Sequence, residues 1–151
     1  MSATVAELLK DKARQAPDST LYSVEPDMLV ADAVCLMVKN KISSVVVIDN
    51  DVMVGLITLR ELLNGLYQYG DKLIQAKCRE LMKAKPPVAR LEDTVDHLRG
   101  LMTELHITHV PVMNQAALVG ILSFHDIARS AIKDANFENK LLKQYIRNWP
   151  E

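Results

Sequence analysis

Apolar residues in the first half of the chain follow a helical spacing and then form two strand-like runs. One buried helix face is predicted by apolar residues at i, i+3, i+4 and i+7, namely Val30, Ala33, Val34 and Met37. Two runs rich in β-branched residues follow at 43–48 and 52–58, with a turn-forming segment between them. A short apolar strand at 21–24 precedes this helix, and a second helix begins at Thr58. The predicted order is therefore β-α-β-β-α.

The second half of the chain repeats this order. A strand at 87–91 precedes a helix whose predicted buried face carries Val95, Leu98, Leu101, Met102 and Leu105. Strands at 109–113 and 117–123 follow, and another helix begins at Ser123. Asp93, with an acid three residues later, is predicted to cap the first of these helices. Because the strands are nearly all apolar, we expect both faces of each sheet to be covered.

An offset of 65 residues, which aligns Gly55 with Gly120, superimposes the two halves. The other identical pairs at this offset are Val30 with Val95, Leu36 with Leu101, Met37 with Met102, Ile42 with Ile107, Val45 with Val110, Val47 with Val112 and Val54 with Val119. The matches preserve the order of helix and strand patterns, so the chain contains a duplicated unit of roughly 60 residues.

The repeats divide the chain into five parts. We assign an N-terminal helix to 1–16, the first repeat to 17–70, a linker helix to 71–83, the second repeat to 84–134, and an amphipathic C-terminal helix to 135–151. Thr4 and Glu7 form a predicted capping box at the start of the first helix. The C-terminal helix has an apolar face made of Phe137, Leu141, Leu142, Tyr145, Ile146 and Trp149. That face either packs back on its own repeat or contacts a partner or a second copy.

Composition narrows the classes of function. Of the 151 residues, 49% are hydrophobic and 5% aromatic, which predicts a core built from aliphatic side chains. The net charge of −1 gives no basis for binding nucleic acid. No apolar run approaches the roughly 18 residues that span a bilayer, and the N-terminus lacks the layout of a signal peptide. We therefore expect no membrane partner and a cytoplasmic location, or an organelle if a targeting segment was removed.

Residues typical of catalytic and metal sites are present without the required spacing. Ser123, His125 and Asp126 lie within one helical turn and point in diverging directions, so they do not form a catalytic triad. Histidines and cysteines also lack the spacing of metal ligands; they are His97, His106, His109, His125, Cys35 and Cys78. We predict that the chain is not an enzyme and has no metal site.

Thr58 and Ser123 stand where a strand ends and a helix begins, and an acid follows each of them three residues later. This pattern, completed by Glu61 and Asp126, is a capping box. A helix start also presents unpaired N–H groups and the positive end of the helix dipole, which favour a phosphate. The hydroxyl can bond a phosphate oxygen, and the carboxylate can accept both hydroxyls of a ribose. The pattern by itself leaves both roles open.

Two copies of one motif carry a resemblance to a known family. The second copy reads Val-Gly-Ile-Leu-Ser-Phe-His-Asp-Ile at 119–127, after Ile-Thr-His-Val-Pro-Val at 107–112. The first copy reads Val-Gly-Leu-Ile-Thr-Leu-Arg-Glu-Leu at 54–62. Over roughly residues 4–135 the chain resembles the CBS domain family, named after cystathionine β-synthase. The resemblance implies an α/β fold in which two pseudo-symmetric β-α-β-β-α repeats form a CBS-domain pair, or Bateman module.

The resemblance also implies an adenosine ligand in the clefts between the repeats: AMP, ADP or ATP, with S-adenosylmethionine and NAD as further candidates. The stronger implied site contains Ser123, Asp126, His109, Val110, Pro111 and Val112. The weaker implied site contains Thr58, Glu61, Ser44, Val45 and Val46. Arg60 lies where many family members have a phosphate-binding arginine, and its counterpart His125 is a poorer partner for an anion.

Two residues depart from the family pattern. Glu61 is one methylene longer than the aspartate usual at its position, which puts ligand binding at the first site in doubt. Thr108 stands where relatives often have an arginine, so one phosphate contact is lost. This missing positive charge favours AMP or an unphosphorylated adenosyl group over ATP.

The hypothesis from the sequence is a regulatory module without a catalytic cofactor. It senses an adenosine nucleotide and modulates an unidentified partner protein or its own assembly. We expect a homodimer, because the CBS-domain pairs that this chain resembles usually dimerise. The alternative hypothesis is a structural module for dimerisation or interaction with no bound nucleotide.

Overall fold

The structure is a computed structural model that describes residues 3–15 and 21–147. Within these residues it contains two separate β-sheets, each accompanied by helices. The α/β class and the two β-α-β-β-α repeats predicted from the sequence are confirmed. Each sheet is the centre of one repeat.

The first repeat is built on β1 (Ser23–Val24), α2 (Val30–Asn40), β2 (Ser44–Asp49), β3 (Val52–Thr58) and α3 (Leu59–Tyr69). β1 runs parallel to β2, and α2 makes the crossover that a parallel pair requires. β2 and β3 form an antiparallel hairpin. The predicted strand and helix positions therefore match the structure to within about two residues, as boundaries usually do.

The segment after α3 completes the first sheet. A 3₁₀ helix (Gly70–Gln75) and the short helix α4 (Cys78–Leu81) occupy the place of the predicted linker helix. β4 (Lys83–Ala84) then pairs antiparallel with β3, so the first sheet has the order β1-β2-β3-β4. The linker is thus packed as part of the first repeat.

The second repeat has the same elements in the same order. They are β5 (Ala89–Arg90), α5 (Val95–Leu105), β6 (His109–Asn114), β7 (Ala117–Ser123) and α6 (Phe124–Arg147). The sheet order is β5-β6-β7, with a parallel pair followed by an antiparallel hairpin.

Local details confirm that the two repeats are equivalent. α2 and α5 both end on a residue in the left-handed conformation, Lys41 with φ of 53° and His106 with φ of 55°. This conformation stops each helix in the same way. Both hairpins also contain a bulge at the same place. The duplication read from the sequence therefore extends to backbone conformation.

The helix that precedes each repeat packs on the other repeat. α1 (Val5–Gln15) comes before the first repeat, yet Thr4 forms a β-bridge with Thr94 of the second repeat. In the same way Lys77, which precedes α4, forms a β-bridge with Leu29 of the first repeat. The two repeats are therefore joined by exchanged helices as well as by the chain between them.

Each repeat has its own hydrophobic core. The first core consists of Val24, Val30, Ala33, Met37, Val45, Val47, Ile57, Leu73, Cys78 and Leu81. The second consists of Val5, Leu8, Ala89, Val95, Leu98, Met102, Val110, Val112, Leu122 and Ile127. Each core includes residues of the exchanged helix, so α1 and α4 are held by apolar burial as well as by backbone bonds.

The caps of α1 and α5 test two predictions. The predicted box at Thr4 and Glu7 is confirmed, because each backbone N–H donates to the other side chain. The prediction that Asp93 caps α5 is wrong by one residue. Thr94 is the cap, and its Oγ1 accepts the N–H of His97 at 3.1 Å. Asp93 instead accepts the N–H of Arg90 at 2.8 Å and closes the preceding turn.

The C-terminal helix is not a separate element. α6 is continuous from Phe124 to Arg147, across the boundary predicted at 135. Its residues from 131 to 147 are exposed, including Phe137, Leu141, Leu142, Tyr145 and Ile146. The sixth predicted residue of this face, Trp149, lies outside the described residues. The described part of the apolar face does not pack back on its own repeat, which excludes the first of the two sequence interpretations for these residues.

Two glycines inside helices differ in their surroundings and give a test of this packing. A Cβ added to Gly65 in α3 would collide with Leu81 and lie 2.7 Å from Cδ1 of Leu73. A Cβ added to Gly100 in α5 would meet no atom within 4 Å. We expect Gly100→Ala to raise the free energy of unfolding by about 1 kcal/mol, because alanine favours the helix. We expect Gly65→Ala to lower it by about 1–2 kcal/mol, because overpacking outweighs the same gain.

Urea unfolding of the wild type and both variants measures these changes. A stabilising Gly65→Ala substitution would contradict the close packing of α3 on the segment that follows it.

Candidate functional site

A cavity of about 550 Å³ lies between the two repeats. This volume is in the range of small-molecule sites. It is lined by Leu9, Lys12 and Ala13 of α1, by Leu21, Tyr22, Asn40, Lys41, Ile42, Ser43 and Ser44 of the first repeat, and by His109, Val119, Gly120, Ile121 and Ser123 of the second. Gly120 permits α1 to approach β7, since a Cβ there would lie 3.0 Å from Cδ2 of Leu9. The cavity therefore depends on all three parts of the chain.

Ser123 and Asp126 form the predicted capping box at the start of α6. Ser123 Oγ accepts the N–H of Asp126 at 3.1 Å, and Asp126 Oδ2 accepts the N–H of Ser123 at 2.8 Å. Ser123 lines the large cavity. Asp126 is only 5% exposed and lines a smaller cavity nearby. The carboxylate is thus held next to the large cavity by the local geometry of a strand that ends in a helix.

Two cations share the carboxylate of Asp126. Lys12 Nζ donates to Asp126 Oδ2 at 2.9 Å and to the carbonyl oxygen of Ile121 at 2.8 Å. Arg129 donates from Nη2 to the other carboxylate oxygen. Lys12 lines both cavities. The carboxylate that could accept the ribose hydroxyls is therefore paired with a lysine from α1.

The ionisation of Asp126 follows from these contacts. Burial raises its pKa, but the N–H of Ser123 and the ammonium of Lys12 outweigh burial and hold the pKa below its ordinary value. The ordinary value for aspartate is about 3.9, so the group is a carboxylate at neutral pH. A buried carboxylate is stable only when paired, and Lys12 supplies part of that pairing.

His109 bridges the two repeats at the cavity. Its Nε2 lies 3.1 Å from Ser43 Oγ of the first repeat, and its Nδ1 lies 2.8 Å from Thr108 Oγ1. Burial and the charge of Lys12 lower the pKa of His109, while Asp126 and Glu61 oppose the change. The imidazole is therefore mainly neutral at neutral pH. Thr108, at the position where relatives often have arginine, bonds the imidazole.

The motif of the first repeat forms a closed helix cap. Thr58 donates to Oε1 of Glu61 from both its N–H, at 2.8 Å, and its Oγ1, at 2.6 Å. The N–H of Arg60 donates to Thr58 Oγ1 at 3.3 Å. None of these three residues lines the large cavity. The structure thus shows their capping role, and the nucleotide role of Thr58, Arg60 and Glu61 stays a prediction.

The structure groups the remaining predicted residues differently from the sequence. Ser44, assigned to the weaker site, lines the same cavity as Ser123 and His109 of the stronger site. Exposed His125 does not line it. The apolar residues predicted around the base are buried and do not line it either: Val45, Val46, Val110, Pro111 and Val112. Their side chains are packed inside the protein, and their place around the base of a ligand stays a prediction.

Two lysines of the cavity were missed by the reasoning from sequence. Lys12 lies seven residues after Val5 and four after Leu8, on the buried face of α1, and a lysine on such a face needs a partner. That spacing is a signal that could have found it. Lys41 ends α2, and nothing in the sequence shows that it faces the second repeat. Their positive charges partly replace the charge of the arginine that relatives often have at the position of Thr108.

Metal-binding clusters and membrane-spanning helices are both absent from residues 3–15 and 21–147. No group of three or more His, Cys, Asp or Glu side chains in this part of the chain is arranged to hold a metal ion. No helix among the same residues is both long enough and apolar enough to cross a membrane.

The sequence model of the CBS domain matches residues 13–68 and 78–133, which is more than half of the chain. A curated relative with 26% identity over 151 residues is the CBS domain-containing protein CBSX3, mitochondrial, of Arabidopsis thaliana. That alignment covers 97% of this chain and 73% of the plant protein.

Solved structures have the same fold. A CBS-domain-containing protein of Agrobacterium tumefaciens is 29% identical with a TM-score of 0.78, over 87% of this chain and 95% of that one. CBSX2 in complex with AMP is 27% identical with a TM-score of 0.69, over 88% of this chain and 98% of that one. The duplicated motif, the two equivalent sheets and both matched segments agree, and the chain belongs to the CBS domain family as a CBS-domain pair.

Proposed function

We propose that this CBS-domain pair is a regulatory module that binds an adenosine nucleotide between its repeats. One arrangement carries the proposal: Ser123, His109 and Ser44 line a cavity of about 550 Å³ beside the carboxylate of Asp126. CBSX2, a relative with the same fold, was crystallised in complex with AMP, which supports the same class of ligand.

Each part of the nucleotide has a proposed partner in the cavity or beside it. The apolar side chains of Leu9, Ile42 and Val119 suit the faces of adenine. The carboxylate of Asp126 accepts hydrogen bonds from the ribose hydroxyls. The hydroxyl of Ser123 and the positive end of α6 favour the phosphate.

Binding of the ribose competes with an existing contact. Lys12 already uses Asp126 Oδ2, so the ribose hydroxyls replace or share that bond. Because Lys12 belongs to α1, the ligand changes the contacts that hold α1 against the second repeat. A ligand with different affinity for the two arrangements shifts their populations, and a partner protein that contacts α1 detects the shift.

The exposed helix faces support a homodimer. α3 and α6 are equivalent helices, and equivalent positions on both are apolar and exposed, such as Leu59 with Phe124 and Tyr67 with Ile132. Contiguous apolar surface of this kind marks an interaction site. We therefore propose that two copies associate through α3 and α6.

A second candidate function is a structural dimerisation module that binds no nucleotide. The observation that favours it is the pairing of both motif acids within the chain, Glu61 with Thr58 and Asp126 with Lys12. Neither acid needs a ligand in order to be satisfied. Ligand binding therefore separates the two candidates.

We expect AMP to raise the melting temperature of the wild-type protein by about 5 to 10 °C at a hundredfold excess over its dissociation constant. A ligand that binds only the folded state adds about 2.7 kcal/mol under these conditions. Asp126→Asn keeps the size of the side chain but removes its charge, so it weakens the hold on the ribose and reduces the shift. Differential scanning fluorimetry with AMP, ADP, ATP, NAD and S-adenosylmethionine measures this.

Asp134→Asn is the matched control, because Asp134 is an exposed acid on the same helix, away from the cavity. It should keep the wild-type shift. No shift of the wild type by any of the five ligands at millimolar concentration would leave the structural module as the function.

We expect the double variant Leu63→Glu and Tyr67→Glu to convert the dimer into a monomer, because it places charges on the exposed face of α3. Tyr67 is 95% exposed, so the fold of one chain should tolerate the change. Val38→Glu is the control, since Val38 is 71% exposed on α2 and should leave the dimer intact. Multi-angle light scattering gives the masses, and a monomeric wild type would disprove the dimer.

A further inference from the structure

We infer that Lys12 makes the cavity select a phosphorylated adenosine ligand over a neutral or cationic one. The inference rests on the proposed nucleotide binding and adds the residue that selects for the phosphate of the ligand. Lys12 lies on α1, outside both motifs. Its ammonium makes two hydrogen bonds, lies among an excess of positive charge, and lines the cavity.

The ammonium of Lys12 has one donor to spare. A lysine side chain has three N–H donors. Two are used, one by the carbonyl oxygen of Ile121 at 2.8 Å and one by Asp126 Oδ2 at 2.9 Å. Among the described residues no third acceptor is within hydrogen-bonding distance of Lys12 Nζ. Its side chain is 30% exposed and lines the cavity, so the third donor is available to a ligand.

The groups around Asp126 carry an excess of positive charge. One carboxylate is paired with two cations, Lys12 and Arg129. Lys41 adds another cation to the wall of the cavity, whereas none of the described residues that line it is acidic. His109 is mainly neutral, because burial and Lys12 lower its pKa. An anionic ligand neutralises this excess of positive charge, whereas the sulfonium of S-adenosylmethionine increases it.

A ribose on Asp126 strengthens this effect. When ribose hydroxyls take Asp126 Oδ2, Lys12 loses its carboxylate contact and its ammonium needs another anion. A phosphate attached to the same ribose lies within a few bonds of that carboxylate. A hydrogen bond from Lys12 to the phosphate replaces the hydrogen bond from Lys12 to Asp126, and both are charge-assisted. Binding of the phosphate and release of Asp126 from Lys12 therefore favour each other.

Isothermal titration of AMP, adenosine and S-adenosylmethionine tests the inference. We expect the wild type to bind AMP at least about tenfold more tightly than either other ligand, as a charge-assisted bond provides. In Lys12→Gln the preference for AMP over adenosine should fall to within about threefold, while adenosine binds with nearly wild-type affinity. Lys12→Arg keeps the charge and should keep most of the preference.

Lys10→Gln is the matched control, because Lys10 is exposed on the same helix and does not line the cavity. It should behave as the wild type. Adenosine binding also reports whether the cavity is intact in each variant.

Three results would overturn the inference while leaving nucleotide binding in place. They are equal affinity of the wild type for AMP and adenosine, an unchanged preference in Lys12→Gln, and loss of both ligands in Lys12→Gln, which would make Lys12 a structural residue. If the wild type binds none of the three ligands, the proposed function fails and this inference fails with it.

Discussion

The packing of α1 on the second repeat brings Leu9, Lys12 and Ala13 to the candidate site, and none of these residues belongs to the two sequence motifs. Val5 and Leu8 anchor α1 in the core of the second repeat, and Lys12 on the same face then reaches Asp126. An isolated helix of 11 residues is only marginally stable in water, so α1 depends on this burial. The cavity would lose one of its three sides and its buried carboxylate would lose a partner. Hydrophobic packing thus determines the electrostatics of the site.

Asp126 performs several functions at one position. It caps α6 through the N–H of Ser123, it holds α1 through Lys12, and it is the proposed acceptor for the ribose. A buried carboxylate cannot lose its partners without a large cost, so a ligand has to replace each contact that it breaks. Under the proposed function, this requirement would convert ligand binding into a change at α1. The first repeat differs, because Glu61 directs its longer side chain to both the N–H and the hydroxyl of Thr58.

The outer helices carry the proposed interaction surface, while the proposed ribose acceptor Asp126 lies in the first turn of α6. α3 and α6 expose apolar residues at equivalent positions, while none of the residues that line the cavity belongs to either helix. α6 continues past the end of α3 by several turns, and its exposed apolar side chains extend beyond the repeat itself. The duplicated unit therefore provides a surface in which α3 and α6 are equivalent. The additional length of α6 makes the α6 side of this surface different from the α3 side.

The sequence by itself determined the duplication, the order of strands and helices, and the capping boxes, and its resemblance to a known family indicated Ser123 and His109. The strands, helices and capping boxes depend on residues close together in the chain, since helical and strand periodicities and a capping box all act over a few positions. Only the tertiary structure decided that Ser44 shares a cavity with Ser123, that the apolar strand residues are buried away from it, and that Lys12 pairs with an aspartate 114 positions away. Those contacts depend on how two similar repeats face each other and exchange helices, and a local pattern contains no information on that arrangement.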